Sequence, residues 1–233
     1  MIARATPSPL ETAYLLIERA GEQLEELKAL HDVTCAAQAE ATVITCNSDV
    51  SVHPNQIGPF VTVKSGDVPI PPKCRILVGE ISNSIRSALN YLVGRLSELY
   101  TGAKVSSAQF PIESTPKGFK CRRGNFLRGV SDAHVAAIER LQPYNGIEWT
   151  TNLQRLSNIH KHNDLILVTH DYLIGGQVTI DCAKPDGSIE TTVSMQIKPA
   201  LRIALGDGLP VIEALEVIKS QATKVLDAFK SEF

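Results

Sequence analysis

The residues from 155 to 164, RLSNIHKHND, combine an arginine with two histidines. Histidine gives and takes protons near neutral pH, so beside RNA it could activate a 2′-hydroxyl or protonate a leaving 5′-oxygen. An arginine nearby could stabilise the charge that builds on the phosphorus oxygens, because its guanidinium binds phosphate in a bidentate manner. The segment is therefore typical of metal-independent phosphodiester chemistry, and the alternative is a solvated helix end without a chemical role.

A helical backbone would separate the two histidines. Arg155, Asn158 and His162 have the spacing i, i+3, i+7, so they share one stripe and could act on one ligand. His160 lies about 140° from Arg155 on a straight helix, inside the apolar arc of the segment. We expect Arg155 and His162 to be the working pair and Asn158 to orient the phosphate. His160 is either a core histidine or a further site residue.

A second helix supplies more polar candidates. The segment GEISNSIRSALNYLVGRLSELY from Gly79 to Tyr100 has one broad apolar arc, and Arg86 and Asn90 lie on the opposite side. We expect this polar side to pack near the helix that carries Arg155. Arg86 and Asn90 would then complete a partly buried site with the histidines.

A third candidate is a basic segment, KGFKCRRGNFLRG (117–129), with no acidic residue between Ser114 and Val130. We interpret it as an anion-binding loop for an RNA backbone or another phosphate-bearing ligand, with phenylalanines as stacking surfaces. The expected anion ligands are Lys120, Arg122, Arg123 and Arg128, joined by Lys117. The alternative is a solvated charge cluster whose phenylalanines anchor it in the core.

A metal site is a further hypothesis, because His160, His162 and His170 lie close together with Asp164 and Asp171. Zinc needs convergent nitrogen and oxygen ligands. Residues i and i+2 converge on a strand but diverge by about 200° on a helix. Since Asn158–His162 has a helical pattern, we predict no metal ligands and no cofactor, unless the backbone at 160–162 is extended.

Composition limits the remaining classes. The 233 residues are 43% hydrophobic, enough for a core, and the net charge of −2 provides no global field for nucleic acid or anionic membrane. No stretch approaches the roughly 20 apolar residues of a membrane span, and the N-terminus lacks an export signal. The five cysteines are widely spaced without a C-x-x-C pair, so we expect a reducing cytoplasm. There is no P-loop, dinucleotide fingerprint or G-x-S-x-G motif.

Hydrophobic periodicity predicts a single α+β domain over residues 1–233. Helices flank runs of strands, which favours a helical bundle core packed with an antiparallel β-sheet. Long N- and C-terminal helices carry coiled-coil-like stripes that suit a homodimer or intramolecular packing equally well. The predicted elements are a helix at 8–30 capped by Ser8, strands in 39–65, a helical core at 79–163, strands in 164–205 and a helix at 209–230.

Two segments resemble a widespread family of uncharacterised bacterial proteins, with patterns of roughly G-D-x-x-H-N-x-R-S-A-L-D-x-L and N-I-D-K-H-R. The intervening FPIES (110–114) and LQPY (141–144) also look like that family. Glu80, Asn83, Ser84 and Asn90 depart from the first pattern, and His160 and Asn163 from the second. The matching residues are Gly79, Arg86, Ser87, Ala88, Leu89 and Leu92, then Asn158, Ile159, Lys161 and His162.

More distantly, the helix with Arg86 and the later Arg155 and His162 resemble HEPN domains. That resemblance implies a helical ribonuclease, or a toxin or defence component, that works as a dimer. Three functions stay open: a HEPN-like metal-independent ribonuclease or its degenerate relative, a non-catalytic binding or regulatory protein, and a metal-dependent hydrolase. The sequence leaves undecided whether the protein is an enzyme.

Overall fold

The computed structural model describes residues 8–47, 60–66, 68–162, 166–180, 191–205 and 207–233, and side chains outside 43–65 and 159–202. The elements follow in chain order: α1 (Glu11–Glu40), β1 (Thr42–Asn47), β2 (Phe60–Ser65), α2 (Pro72–Thr101), α3 (Pro116–Phe126), α4 (Asp132–Arg140), α5 (Glu148–His162), β3 (Ile166–Ile180), β4 (Thr191–Leu205) and α6 (Val211–Ala228). Short 3₁₀ turns cover Pro143–Asn145 and Lys230–Glu232.

The protein is mostly helical, so the prediction of an α+β fold with an antiparallel sheet over the core is wrong. In the described ranges the strands pair as two separate antiparallel hairpins, β1 with β2 and β3 with β4. A two-stranded ribbon has no face broad enough to cover a bundle. Periodicity identified strand-forming segments, but it does not reveal how many strands pair with one another.

The helices instead cover one another. α1 and α2 run antiparallel: the Lys73 ammonium near the start of α2 pairs with Glu26, and Arg95 Nε near its end donates to the Pro9 carbonyl oxygen at 3.1 Å. α5 and α6 pack on this pair. The shared core includes Leu24, Leu27, Ile81, Ile85, Leu89, Leu92, Leu153, Leu156, Leu215 and Ile218, all buried.

The N-terminal helix differs from its prediction at both ends. Its apolar stripe, including Ala13, Ile17 and Ala20, is buried as expected, but the helix extends to Glu40. Leu10 takes the N-cap position without a side-chain hydrogen bond, and Ser8 contributes its backbone oxygen to Glu11 N at 2.9 Å. The predicted Ser8 cap is therefore wrong. The residues from 31 to 40 are mainly small or polar. They form no clear apolar stripe, so the sequence pattern did not predict this part of the helix.

The stripes of the two terminal helices are buried inside the chain. α6 presents Leu215, Ile218 and Ala222 to the shared core, where α1 and α2 also contribute. Intramolecular packing, one of the two explanations that the sequence left open, accounts for these stripes, and they give no support for a homodimer. The KPDGS sequence at residues 184–188, which is typical of a turn because proline presets φ and glycine allows a positive φ, lies outside the described residues. No helix in the described ranges is both long and apolar enough to cross a lipid bilayer.

A glycine fixes the end of α3 against α2. Gly129 has a positive φ of 79°, a conformation that other residues rarely adopt. A Cβ on it would lie 2.2 Å from the Thr101 methyl carbon, and Ser97 Oγ on α2 donates to the neighbouring Arg128 carbonyl at 2.6 Å. The close approach of residues 128–129 to α2 therefore requires glycine at position 129.

A hydrogen bond between α1 and α6 leads to a pH-dependence prediction. Tyr14 donates its phenolic hydrogen to Asp227 Oδ1 at 2.8 Å. Burial of the ring, followed by this hydrogen bond, raises the pKa of Tyr14 to about 12. An unfolded tyrosine ionises near pH 10, so the unfolded chain loses the proton first. The stabilising contribution is therefore complete below about pH 10 and decreases as pH rises towards about 12.

We expect urea unfolding to show a smaller loss of stability between about pH 9 and about pH 11 in Tyr14→Phe than in the wild type. Tyr91→Phe, which changes an exposed phenol on α2, should retain the wild-type pH dependence. Equal slopes in wild type and Tyr14→Phe would contradict the assignment.

Candidate functional site

The helix that carries the proposed Arg–His pair is continuous. α5 extends unbroken from Glu148 through His162, and Trp149, Leu153 and Leu156 on its apolar arc are buried as predicted. Helical periodicity places the backbone positions of Arg155 and His162 within about 20° of each other. Asn158, on the same outer side, is exposed. The side chains of His160 and His162 lie outside the described residues.

The same backbone argues against a histidine metal site. Residues 160–162 are helical and not extended, so the backbone positions of His160 and His162 lie about 200° apart around the helix axis, which does not suit two ligands of one ion. Among the described residues, no group of three or more metal-ligating side chains is present. The side chain of His170, on β3, is outside that description.

Arg155 already has a partner, which the sequence did not reveal. Its guanidinium forms an ion pair with Asp207 in the segment before α6, and the two side chains are 39% and 52% exposed. The hydrogen bond from Arg155 is the main reason that the pKa of Asp207 is lowered, with a contribution from the Leu209 backbone amide. A phosphate would have to compete with this carboxylate. Asp207 belongs to the short sequence GDG at 206–208, which by itself indicates only a turn before α6.

Asn90 has a structural role. Its Oδ1 accepts a hydrogen bond from the Phe110 backbone amide at 2.9 Å. Phe110, Pro111 and Ile112 form an extended, buried segment that belongs to no helix or strand. A buried backbone without ladder partners needs other acceptors and donors. Asn90 supplies one of them, so its position opposite the apolar arc of α2 is explained without catalysis.

Two glutamines complete the attachment of this segment. Gln142 is fully buried; its Oε1 accepts from Glu113 N at 2.9 Å, and its Nε2 donates to Pro111 O at 2.9 Å. Gln154 on α5 donates from Nε2 to Ile112 O at 3.2 Å. We call Asn90, Gln142 and Gln154 the amide clamp. Primary amides carry both donors and acceptors, which suits mixed backbone groups.

Arg86 points to the same segment but makes no hydrogen bond to any described residue. It is half-buried, and desolvation lowers its pKa, while the negative charge of Glu113 opposes that shift. The distance from Glu113 Oε1 to Arg122 Nε is 3.7 Å. Arg86 and Asn90 are thus both associated with residues 110–113, as parts of the packing between α2 and that segment.

The basic segment is a helix and not the predicted loop. α3 begins at Pro116 after Thr115, whose side chain accepts from Gly118 N at 3.1 Å. Pro at the first helical position suits this start because its missing amide hydrogen is not needed there. Phe119 is buried, and the Arg122 guanidinium lies 5.3 Å from the centre of the Phe126 ring. Neither ring is a free stacking surface, which corrects that part of the hypothesis.

The cations of this helix divide into two sets. Arg122 faces Glu113, and Arg123 Nη2 pairs with Asp132 Oδ1 at 2.5 Å. Lys117, Lys120 and Arg128 are exposed and form no ion pair with the residues that the structure describes. The expected anion-binding set is therefore reduced to these three side chains.

Comparison of the chain with protein-family models, with curated proteins and with solved structures finds no match. The resemblance to the bacterial family and to HEPN domains therefore stays a prediction. Its motif residues nevertheless have a physical role here, because FPIES contains the buried segment and LQPY contains Gln142.

The amide clamp leads to a stability prediction. Gln142→Ala removes two hydrogen bonds to residues 111–113, and leaves those buried backbone groups without partners. We expect the free energy of unfolding to decrease by about 2–4 kcal/mol, measured by urea denaturation. Gln109→Ala, at an exposed side chain next to the same segment, should change it by less than about 0.5 kcal/mol. Similar values for both variants would contradict the role of the clamp.

Proposed function

We propose that the protein is a non-catalytic binding protein for a phosphate-bearing ligand, with RNA as the candidate. The observation that carries the proposal is the outer face of α3, where Lys117 and Lys120 are exposed and the helix contains no acidic residue. Spaced i, i+3, the two ammonium groups lie about 60° apart around the helix axis. Arg128 follows just beyond its end. They form a local positive surface on a chain of net charge −2.

The character of the surface defines the kind of binding. Exposed lysines on a helix act as point charges that neutralise phosphates, a contact that carries no sequence information. Because Phe119 is buried and Phe126 is covered by Arg122, base stacking on this helix does not add affinity. We therefore expect weak, sequence-independent binding that decreases steeply with salt.

The ion pair of Arg155 with Asp207 supports a function without catalysis. A ribonuclease of the type expected from the sequence needs a guanidinium free to stabilise charge on phosphorus oxygens. Here that guanidinium pairs with Asp207. Within the basic segment, the cations that form no ion pair with described residues are Lys117, Lys120 and Arg128, and all three are distant in sequence from the Arg155–His162 stripe.

The test measures binding of a fluorescein-labelled oligouridine by anisotropy at several salt concentrations. The double variant Lys117→Gln/Lys120→Gln should bind about three- to tenfold more weakly, and the slope of log K against log salt should fall by about 1.4, the value for two single-strand phosphate contacts. The control, Lys224→Gln/Lys230→Gln, removes the same charge from exposed positions on and after α6. Equal losses in the two double variants would reject α3 as the binding surface.

A HEPN-like ribonuclease is the second candidate, favoured by the unbroken helix that carries both Arg155 and His162. Asp207→Asn would weaken the competition for Arg155 while keeping the Oδ1 that accepts from Leu209 N at 3.3 Å. On this hypothesis, RNA cleavage in the presence of EDTA should rise several-fold in Asp207→Asn. Histidine general catalysis contributes about 10²–10⁴-fold, so His162→Ala should remove activity almost completely.

Cleavage that survives in His162→Ala comes from a contaminating nuclease and contradicts the ribonuclease assignment. Absence of cleavage in both wild type and Asp207→Asn also contradicts it, and agrees with the binding proposal.

A further inference from the structure

A cleft lies beside the second half of α2, away from α5. It has a volume of about 380 Å³, within the range of small-molecule sites. One wall is the α2 surface and the other is the segment that follows the helix. Its lining is mainly apolar and includes Asn90, Tyr91, Gly94, Arg95, Glu98 and Lys104.

The floor of the cleft contains a glycine that the fold does not explain. Gly94 lies in the interior of α2, where glycine destabilises a helix relative to alanine. Its φ is not positive, and a Cβ at this position would have no atom within 4 Å. Neither backbone conformation nor packing in the described chain requires a glycine. The space that the missing side chain leaves open belongs to the cleft.

The polar groups around this space have spare capacity for a ligand. Asn90 Oδ1 is occupied by the Phe110 amide, which orients Nδ2 as a donor without an acceptor among the described residues. Tyr91 lines the cleft and is 46% exposed, so its ring is accessible to a ligand. A flat apolar body can stack on such a ring, while the amide hydrogen binds an acceptor at its edge.

The charges in the cleft sum to one positive unit. Arg95 and Glu98 neutralise each other through a hydrogen bond of 2.6 Å, and Arg95 is further fixed by the Pro9 carbonyl. The Lys104 ammonium is exposed and has no ion-pair partner in the part of the chain that the structure describes. Anionic ligands thus meet one uncompensated cation.

The wall that carries Lys104 is held in place by α3. Ser107 Oγ donates to Asn125 O at 3.0 Å, and Gln109 N donates to Phe126 O at 3.1 Å. These bonds attach the residues just after the wall to the end of α3 before any ligand arrives. A wall that is already ordered lowers the entropy that binding would otherwise lose.

We propose that this cleft is a binding site for a small aromatic acid: a planar apolar body over Gly94 and against Tyr91, with one carboxylate, phosphate or sulfonate group near Lys104 and Asn90 Nδ2. The site is independent of the phosphate surface on α3, since Lys117 and Lys120 do not line it.

The test uses two probes of nearly the same shape, the anionic 8-anilino-1-naphthalenesulfonate and the neutral N-phenyl-1-naphthylamine, whose fluorescence rises on binding. We expect the anionic probe to bind with one-to-one stoichiometry and more tightly than the neutral one. Gly94→Leu should abolish binding of both probes while raising the thermal midpoint by about 2–4 °C, because it removes a helix-interior glycine. Gly94→Ala should weaken binding of both probes less than Gly94→Leu does, with at least a similar rise in the thermal midpoint, because alanine has the higher helix propensity.

Two charge variants separate the polar contacts. Lys104→Met should weaken the anionic probe about threefold or more and leave the neutral probe unchanged. Asn90→Asp keeps the acceptor for the Phe110 amide but replaces the free donor with a carboxylate, so it should weaken the anionic probe about tenfold or more. The thermal midpoint of Asn90→Asp should remain close to that of the wild type.

The control is Lys224→Met, at a lysine that lines a different cavity between α1 and α6. It should bind both probes like the wild type, and a loss of binding there would place the probe in that other cavity and overturn the proposal. Unchanged affinity in stabilised Gly94→Leu, or equal loss of both probes in Lys104→Met, would overturn it as well.

Discussion

The arrangement of the helices depends on how the extended segment from Phe110 to Glu113 is accommodated in the interior. Its backbone amides and carbonyls have no helix or strand to satisfy them, and water is largely excluded where Phe110, Pro111 and Ile112 are buried. Side chains from α2, from Gln142 just after α4 and from α5 supply the partners. Each hydrogen bond attaches one helix to the same short segment, so the relative positions of three helices are fixed together.

Because of this constraint, several residues whose types suggested a catalytic role have a structural role instead. Asn90 and Arg86 are of residue types that are common in active sites. Here Asn90 accepts a hydrogen bond from a backbone amide, and Arg86 interacts with the negative charge of Glu113. Arg155 pairs with Asp207. A polar side chain opposite the apolar arc of a helix can bind the backbone of a buried loop as well as a substrate.

The parts of the structure that the sequence could predict are the local ones. The buried faces of α1, α5 and α6 follow from apolar spacing, and Ser131 caps α4 by accepting from His134 N at 3.3 Å, as its position before a short amphipathic helix predicts. Contacts between residues that are distant along the chain leave no comparable pattern in the sequence. The hairpin of β3 and β4, the Asp207 partner of Arg155 and the role of Gln142 join residues that are distant along the chain. The sequence did not predict α3 because its two glycines lower helix propensity and it has no long apolar stripe, although its lysines and arginines favour a helix and Pro116 with the Thr115 cap provides a good start.

The hydrogen bond between Tyr14 and Asp227 joins residues 213 positions apart, and it has a consequence for the order of assembly. α1 is synthesised well before α6, which covers part of its apolar side. Until then the nascent chain exposes hydrocarbon that the finished protein hides, which is a state in which chains aggregate or recruit chaperones. Topologies dominated by such distant contacts also fold slowly. Loss of the final helix would thus damage the first one as well.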